Sequence, residues 1–193
     1  RPGALPPAVQ LLAFWTAAPL IAYGLSRPAR APRVELGEED RRYLLLLARD
    51  TWRYFEAFMG SEDHGLPADN FQETPEHRTA HRTSPTNIGL GLLSALAAHD
   101  LGFIRTDELA SRVDTALTTM EGLQRFNGHL HNLYDTQSLA PLPPSYVSTV
   151  DSGTLAAALL TLAEGLRQAS RLPATEAGPA ADLPQRLLDL ADR

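Results

Sequence analysis

The sequence predicts an all-α fold, and composition and spacing both support that class. Alanine and leucine are abundant, whereas β-branched residues are few outside residues 146–150, and this composition favours helices. Apolar residues recur at three- and four-residue spacing in several stretches, as on one buried helix face. Cysteine is absent, so the chain has neither a disulfide framework nor a cysteine-ligated metal. The net charge of -6 argues against a nucleic-acid partner.

The first predicted element is an apolar helix near the N-terminus. Residues 4–26 carry no charge, and about 20 apolar residues span a bilayer as a helix. We therefore predict a transmembrane helix that contacts the lipid bilayer through residues 8–26. Arginines beside an apolar end indicate the cytoplasmic side, so the residues after Arg27 are predicted to be cytoplasmic. The alternative is an interfacial or core helix, because Pro19 weakens the apolar run.

The second helix is amphipathic and is predicted to begin near Glu38. Its first turn is acidic, which the helix dipole favours. Leu44, Leu47 and Phe55 recur at helical spacing, so they are predicted to form a buried face. Gly60 is predicted to end the helix.

A long polar loop follows over residues 60–83. Loops of this length inside a domain are either functional or disordered. Leu66 and Phe71 are predicted to anchor the loop, which leaves its polar side chains free to face a cleft. Carboxylates and amides beside an aromatic ring suit sugar hydroxyls, which need both donors and acceptors. The candidates for sugar binding here are Asp69, Asn70 and Gln72.

The central helix follows a cationic loop and is almost wholly apolar. Ser84 or Thr83 is predicted to cap it, because a short hydroxyl accepts a bond from an unpaired first-turn N–H. Pro85 suits the first helical position. A helix that is apolar all round is buried on all sides, so its polar start lies at the mouth of a buried element. Arg82 and Asn87 are therefore candidate binding residues; the alternative is a capped core helix behind a solvated loop.

A further helix and a second polar loop are predicted after the central helix. The helix is expected over residues 106–128, with a stripe of buried leucine, valine and methionine. Residues 129–134 alternate in polarity and predict a short strand. Tyr146 and Val147 are predicted to pair back with it as a second strand, giving a short β-hairpin insertion.

The second loop also holds charged and imidazole side chains. A metal site built from His129, His131 and Asp135 is not favoured, because no third ligand at a fixed spacing supports it, and we predict no metal. Asp135 and Asp151 are better candidates as hydrogen-bonding carboxylates in a polar cleft. Asp151 or Ser152 is predicted to cap the last full helix.

Two helix starts resemble each other along the chain. Residues 84–96 and 151–162 each combine a polar start, a hydroxyl-rich cap and a helix of small residues. Repeated helix pairs build arrays or toroids in which outer helices cover inner ones. The loops before the inner helices then share one face, so both polar loops are predicted to line one cleft.

Four ordered motifs carry a family resemblance between residues 38 and 171. The sequence resembles the glycoamylase-like middle region of cyclic β-1,2-glucan synthases. The motifs are Leu66–Glu73, Ala80–Leu90, Gly128–Thr136 and Pro143–Gly153.

This resemblance implies an architecture and a set of boundaries. Residues 1–33 are expected to be the last membrane helix of a bacterial inner-membrane protein and its basic linker. Residues 34–173 would be the first part of an incomplete (α/α)6 barrel, and residues 174–193 a linker and the start of another helix. A neighbouring glucosyltransferase domain would use UDP-glucose, and no cofactor is expected in this segment.

The resemblance also implies an activity. The barrel would act as a retaining transglycosylase that closes linear β-1,2-glucan into a ring. Such an enzyme uses two catalytic carboxylates, and both are expected beyond Arg193. The alternatives are a β-1,2-glucan hydrolase of the same barrel type and a non-catalytic, membrane-tethered glucan-binding or interaction module. For Arg82, the alternative to sugar binding is a pair with Asp135 or Asp151 that ties the two loops together. The residues assigned to glucan binding or to cleft structure are Asp69, Asn70, Gln72, Arg82, Thr83, Ser84, Asn87, Asn132, Tyr134, Asp135, Asp151 and Ser152.

Overall fold

The computed structural model describes residues 7–26 and 36–171, and the chain divides into two compact units, Arg1–Glu39 and Asp40–Arg193. The helices are α1 (Pro7–Leu25), α2 (Glu38–Phe58), α3 (Pro85–Asp100), α4 (Thr106–Gly122) and α5 (Thr149–Ala169). The strands are β1 (Phe71–Gln72), β2 (Arg78–Thr79), β3 (Arg82–Thr83), β4 (Arg125–Phe126), β5 (His129–Leu130) and β6 (Tyr134–Asp135). The predicted boundaries at residues 33 and 174–193 lie outside the described residues.

Helix α1 occupies the segment that was predicted to cross a membrane. Within residues 7–26 and 36–171, no helix is both long enough and apolar enough to span a bilayer. The predicted transmembrane helix is therefore not supported. Pro19, which weakens the apolar run in the sequence, lies inside α1. Arg27 lies outside the described residues, so the cytoplasmic placement of the residues after it stays a prediction.

Helices α3 and α5 pack closely against each other. A Cβ at Gly89 would lie 2.9 Å from Ala158 Cβ and 3.5 Å from Leu155 Cα, so the two backbones approach closely at this point. Gly165, near the end of α5, lies against the side chain of Leu96, near the end of α3. The N-terminal half of α3 therefore lies against the N-terminal half of α5, and their C-terminal halves also lie together, so the two helices run parallel.

The caps of α3 and α5 explain where these helices begin. Ser84 Oγ accepts a 3.1 Å bond from Asn87 N, and Pro85 occupies the first turn, as predicted. The cap of α5 was predicted wrongly. Ser148, and not Asp151 or Ser152, accepts the first-turn N–H, at 3.2 Å from Asp151 N.

The core lies between α3, α4 and α5. Leu92, Val113, Leu117 and Leu162 are completely buried there. The prediction that α3 is buried on all sides is wrong for one face, because Leu90 remains 49 % exposed. That face adjoins a groove of about 540 Å³, along which α3 and α5 present apolar side chains to solvent.

Helix α2 contributes less to the core than its spacing predicted. Trp52 is buried, and Phe55 packs against the core cluster. Leu44 and Leu47 lie 47 % and 52 % exposed, so the first half of the predicted stripe is not covered by the described residues.

Within residues 7–26 and 36–171, three two-stranded antiparallel sheets modify the predicted all-α class. They pair β1 with β2, β3 with β6, and β4 with β5. The predicted pairing of Tyr146 and Val147 as a strand is wrong, although Asn132 N donates a 2.8 Å bond to Tyr146 O. Helix α4 ends at Gly122, earlier than the predicted Gly128. The β4–β5 hairpin occupies the remaining residues, and its turn has φ of 50° at Asn127 and 85° at Gly128.

Candidate functional site

A short sheet brings together the two polar loops. Strand β3 follows the first loop, β6 belongs to the second, and their antiparallel pairing places Arg82 opposite Asp135 and Thr83 opposite Tyr134. The two segments that the sequence analysis assigned to one face therefore meet at the start of α3. This pairing fixes the rim on which the other polar side chains are placed.

A polar groove of about 510 Å³ opens beside this sheet. Four predicted site residues line it, and they come from both loops: Asn70, Gln72, Arg82 and Asp135. The remaining lining residues are Arg78, Thr79, Ala80, His81 and Leu142. The groove thus presents guanidinium, amide, imidazole and carboxylate groups within one open concavity.

Asp69 holds the start of the groove together. Its Oδ2 accepts bonds from Arg82 Nε at 3.0 Å and Arg82 Nη2 at 2.9 Å. Its Oδ1 accepts a 3.0 Å bond from Asn87 Nδ2, in the first turn of α3, and Asn70 Nδ2 donates to Oδ2 at 3.1 Å. The alternative in which Arg82 pairs with Asp135 or Asp151 is therefore wrong, because its partner is Asp69.

Asp135 is an ionised carboxylate at the groove wall. Its Oδ1 accepts bonds from Ser138 N at 2.7 Å, Ser138 Oγ at 2.9 Å and Gln137 N at 3.0 Å. The bond from the Ser138 backbone is the largest cause that lowers the pKa of Asp135 below its ordinary value. Asp135 consequently suits hydrogen-bond acceptance and does not suit proton donation near neutral pH.

Three predicted site residues belong to the framework under the groove. Thr83 and Tyr134 are completely buried, so they do not reach a ligand in the groove. Tyr134 Oη donates to Gln124 O at 2.6 Å and accepts from His131 N at 2.7 Å, and burial raises the pKa of the phenol. Asn132 Oδ1 accepts a 3.1 Å bond from Tyr146 N and so fixes the second loop.

The start of α5 lies beside the groove and does not line it. Asp151 Oδ1 accepts a 2.5 Å bond from Thr86 Oγ1 on α3, and Ser152 Oγ donates to the backbone of Ser148 at 2.9 Å. Ser152 faces a different, mainly apolar cavity of about 150 Å³ that includes Pro85. The structure therefore corrects the placement of Asp151 and Ser152 among direct groove contacts.

Metal ligation finds no geometric support in residues 7–26 and 36–171. No three His, Cys, Asp or Glu side chains cluster there in a way that could hold an ion. His131 Nδ1 instead lies 2.7 Å from Ser145 Oγ. Oδ1 of Asp135 accepts a hydrogen bond from the hydroxyl of Ser138 in the turn that follows it.

A buried pair at the floor of the groove was not predicted from the sequence. Asp63 is 4 % exposed, and its Oδ1 lies 2.8 Å from His81 Nδ1. Thr136 Oγ1 donates to the same oxygen at 2.5 Å. His81 directly precedes Arg82 and lies within the motif Ala80–Leu90, and these positions were the signals available in the sequence.

Comparison with known proteins identifies the family of this fold. The model of the family described as "Protein of unknown function (DUF3131)" matches residues 46–169. The chain belongs to the DUF3131 family. The cyclic β-(1,2)-glucan synthase NdvB of Rhizobium meliloti (strain 1021) is 42 % identical to this DUF3131 chain over 161 residues. That match covers 83 % of the chain and 6 % of the synthase, so the chain spans a small part of that relative.

Two solved structures share the fold of this DUF3131 chain. The β-1,2-glucanase from Parabacteroides distasonis aligns with a TM-score of 0.63 at 18 % identity, over 83 % of the chain and 22 % of the glucanase. The endo-β-1,2-glucanase from Chitinophaga pinensis, in complex with sophorotriose and glucose, aligns with a TM-score of 0.60 at 14 % identity, over 81 % of the chain and 36 % of that enzyme. The helix-rich class is confirmed, and the chain aligns with less than half of each glucanase.

Proposed function

We propose that this segment lines the glucan-binding groove of a carbohydrate-active enzyme that acts on β-1,2-glucan. The polar groove between the two loops carries this proposal, because it combines hydrogen-bond donors and acceptors from both loops in one concavity. The similarity to a cyclic β-(1,2)-glucan synthase supports β-1,2-glucan as the ligand. In the intact enzyme, further helices would complete an (α/α)6 barrel around this groove.

The chemistry of the groove suits a chain of glucose units. Each sugar hydroxyl both donates and accepts, so a binding surface needs both kinds of group. Arg82, Asn70 and Gln72 supply donors, the amides also accept, and Asp135 supplies a fixed acceptor. Asp69 holds the guanidinium of Arg82 from one side, which reduces the conformational freedom that Arg82 would lose on binding.

We further propose that the enzyme is a retaining transglycosylase that closes the glucan into a ring. A retaining mechanism needs a nucleophilic carboxylate and a carboxylic acid about 5–5.5 Å apart. Asp135 is the carboxylate that lines the described groove, and its lowered pKa makes it unsuitable as the acid. On the family resemblance, and not on the pKa of Asp135, we expect both catalytic carboxylates from later helices, and a neighbouring domain would use UDP-glucose to supply the glucan.

Binding to linear β-1,2-glucan tests the proposed ligand. We expect isothermal titration to detect binding of linear β-1,2-gluco-oligosaccharides to the full-length protein. Arg82→Ala should weaken this binding by about tenfold, or about 1.4 kcal/mol. Arg105→Ala is the matched control, since Arg105 pairs with Asp107 on the surface outside the groove. Equal affinity for β-1,4-gluco-oligosaccharides, or no loss with Arg82→Ala, would contradict the proposal.

A hydrolase of the same fold is the second candidate, because two β-1,2-glucanases share the fold. Mass spectrometry of products from linear β-1,2-glucan separates the two activities. Ring closure gives products that are one water lighter than the linear chain of the same length, whereas hydrolysis gives shorter linear chains. We expect cyclic products.

A further inference from the structure

Asp63 is a buried carboxylate, and removing a carboxylate from water costs free energy unless hydrogen-bond partners compensate for it. A buried charge is tolerated in a protein when hydrogen bonds and opposite charges compensate its lost hydration. Asp63 meets this condition through Thr136 and His81, which both engage Oδ1. Of these two partners, only His81 lines the polar groove.

His81 is held in one orientation by its side chain and its backbone. Its Nδ1 lies 2.8 Å from Asp63 Oδ1, and its carbonyl oxygen accepts a 3.0 Å bond from Thr136 N. Its side chain nevertheless remains 31 % exposed. Since the Nδ1 edge faces the buried carboxylate, the exposed edge of the ring carries Nε2 towards the groove.

The bond to Asp63 determines what Nε2 can do. The carboxylate of Asp63 accepts a hydrogen bond from Nδ1–H, so in the neutral imidazole Nδ1 carries the proton and Nε2 is the unprotonated acceptor. In the imidazolium form, Nε2–H is a donor instead. The bond to Asp63 is the largest cause that raises the pKa of His81, with smaller contributions from the charges of Glu62 and Asp135. Arg78 and Arg82 are the positively charged groups that line the same groove in the described part of the chain.

We propose that His81 is a further sugar-binding residue, which bonds a glucose oxygen through Nε2, and that Asp63 is its positioning residue. This inference rests on the proposed function, because β-1,2-glucan is the ligand assigned to the groove. Either protonation state of the ring can pair with a hydroxyl, which both donates and accepts. The contact would extend the set of binding groups from Arg82 along β3 to the floor of the groove.

Two substitutions separate binding from structural support. In His81→Asn, the amide nitrogen replaces Nδ1 and retains the bond to Asp63, while the Nε2 position is empty. In His81→Gln, the longer amide reaches the Nε2 position and leaves Asp63 with Thr136 alone. We expect His81→Asn to weaken binding of linear β-1,2-gluco-oligosaccharides to the full-length protein by about tenfold, and His81→Gln by about threefold or less.

The unfolding midpoints of the two variants, measured at an alkaline pH where the ring of His81 is neutral, should show the opposite order. His81→Asn is expected to remain close to the unaltered protein, and His81→Gln to unfold at a lower denaturant concentration. If affinity instead follows stability, so that His81→Gln binds worst, His81 is structural and the inference is overturned. If the unaltered protein does not bind β-1,2-glucan at all, the proposed function itself fails.

A footprinting experiment on the unaltered full-length protein tests the same contact without a variant. Diethylpyrocarbonate modifies unprotonated imidazole nitrogens, and peptide mass spectrometry locates the product. We expect saturating β-1,2-glucan to reduce modification of His81 at least threefold and to leave the exposed His129 unchanged. Equal modification of His81 with and without bound glucan would overturn the inference even where titration shows binding.

Discussion

Thr86 donates a 2.5 Å hydrogen bond from Oγ1 to Oδ1 of Asp151, joining the first turns of α3 and α5. The next residue, Asn87, donates a 3.0 Å bond from Nδ2 to Oδ1 of Asp69 in the first loop. The start of α3 thus links the loop that lines the groove to the start of α5. The order of the groove depends on this helix end as much as on the groove residues themselves.

Removal of the Thr86–Asp151 bond should destabilise the fold. We expect Thr86→Val to lower the free energy of unfolding by about 1–2 kcal/mol, because the partly buried carboxylate loses a donor. The double variant with Asp151→Ala should be less destabilised than the sum of the single variants, as measured by urea denaturation. Thr154→Val is the control, since its hydroxyl bonds only Val150 O within α5, and it should cost about 0.5 kcal/mol or less.

The close approach of α3 and α5 predicts opposite effects for two glycine substitutions. Gly89→Ala should lower the free energy of unfolding by about 1–3 kcal/mol, because its Cβ would lie 2.9 Å from Ala158 Cβ. Gly153→Ala, on the exposed start of α5, meets no atom within 4 Å and should stabilise the helix by about 0.5–1 kcal/mol. Equal effects in thermal denaturation would show that the two helices are further apart.

Asp69 should support glucan binding without touching the sugar. Asp69→Asn removes the charge that orients Arg82, so we expect about three- to tenfold weaker binding in isothermal titration. Asp107→Asn is the matched control, because Asp107 pairs with Arg105 outside the groove, and it should leave affinity unchanged. An unaltered affinity for Asp69→Asn would show that Arg82 is positioned by other contacts.

The raised pKa of His81 predicts a stability that depends on pH. Asp63 favours the protonated ring in the folded state, so this contribution is fully present below the ordinary histidine pKa of about 6.5. It is lost as the pH rises through the higher pKa of the folded protein. Urea denaturation across this range should show a shallower decline for His81→Asn than for the unaltered protein. An unchanged slope would contradict the Asp63–His81 pairing.

Asp135 should show the opposite dependence at acid pH. Its pKa is lowered chiefly by Ser138 N, so its contribution is present above the ordinary aspartate pKa and is lost as the pH falls through the lowered value. Ser138→Ala removes the hydroxyl donor at 2.9 Å and keeps the backbone donors. We expect a higher pKa for Asp135 in this variant, measured by side-chain NMR titration, and a smaller loss of stability on acidification that is complete at a higher pH.

Local residue preferences predicted where the helix beside the groove begins, but they did not predict the Asp63–His81 pair at the floor of the groove. The Ser84 cap and Pro85 follow from the conformational preferences of these two residues, and no distant contact is needed to explain them. The meeting of the two loops followed from the resemblance between the starts of α3 and α5. The Asn127–Gly128 dipeptide was a hairpin signal in the sequence, and the longer helix predicted there overlooked it.

Other features depend on contacts that a linear pattern does not contain. Thr83 and Tyr134 point away from the groove because β3 and β6 pair in one particular register, and side chains alternate between the two faces of a strand. Asp63 becomes buried only when Thr136 and His81 reach it from distant positions in the chain. Leu44 and Leu47 fit a helix stripe, but the described residues leave them uncovered.

The β3–β6 pairing also determines when the groove can form during folding. Its two strands are separated in the chain by the whole of α3 and α4, so their closure carries a larger entropic cost than either helix alone. Helices with local contacts form early, and pairings between distant segments form late. Affinity for sugar should therefore be the last property to recover during refolding, after helical circular dichroism has returned.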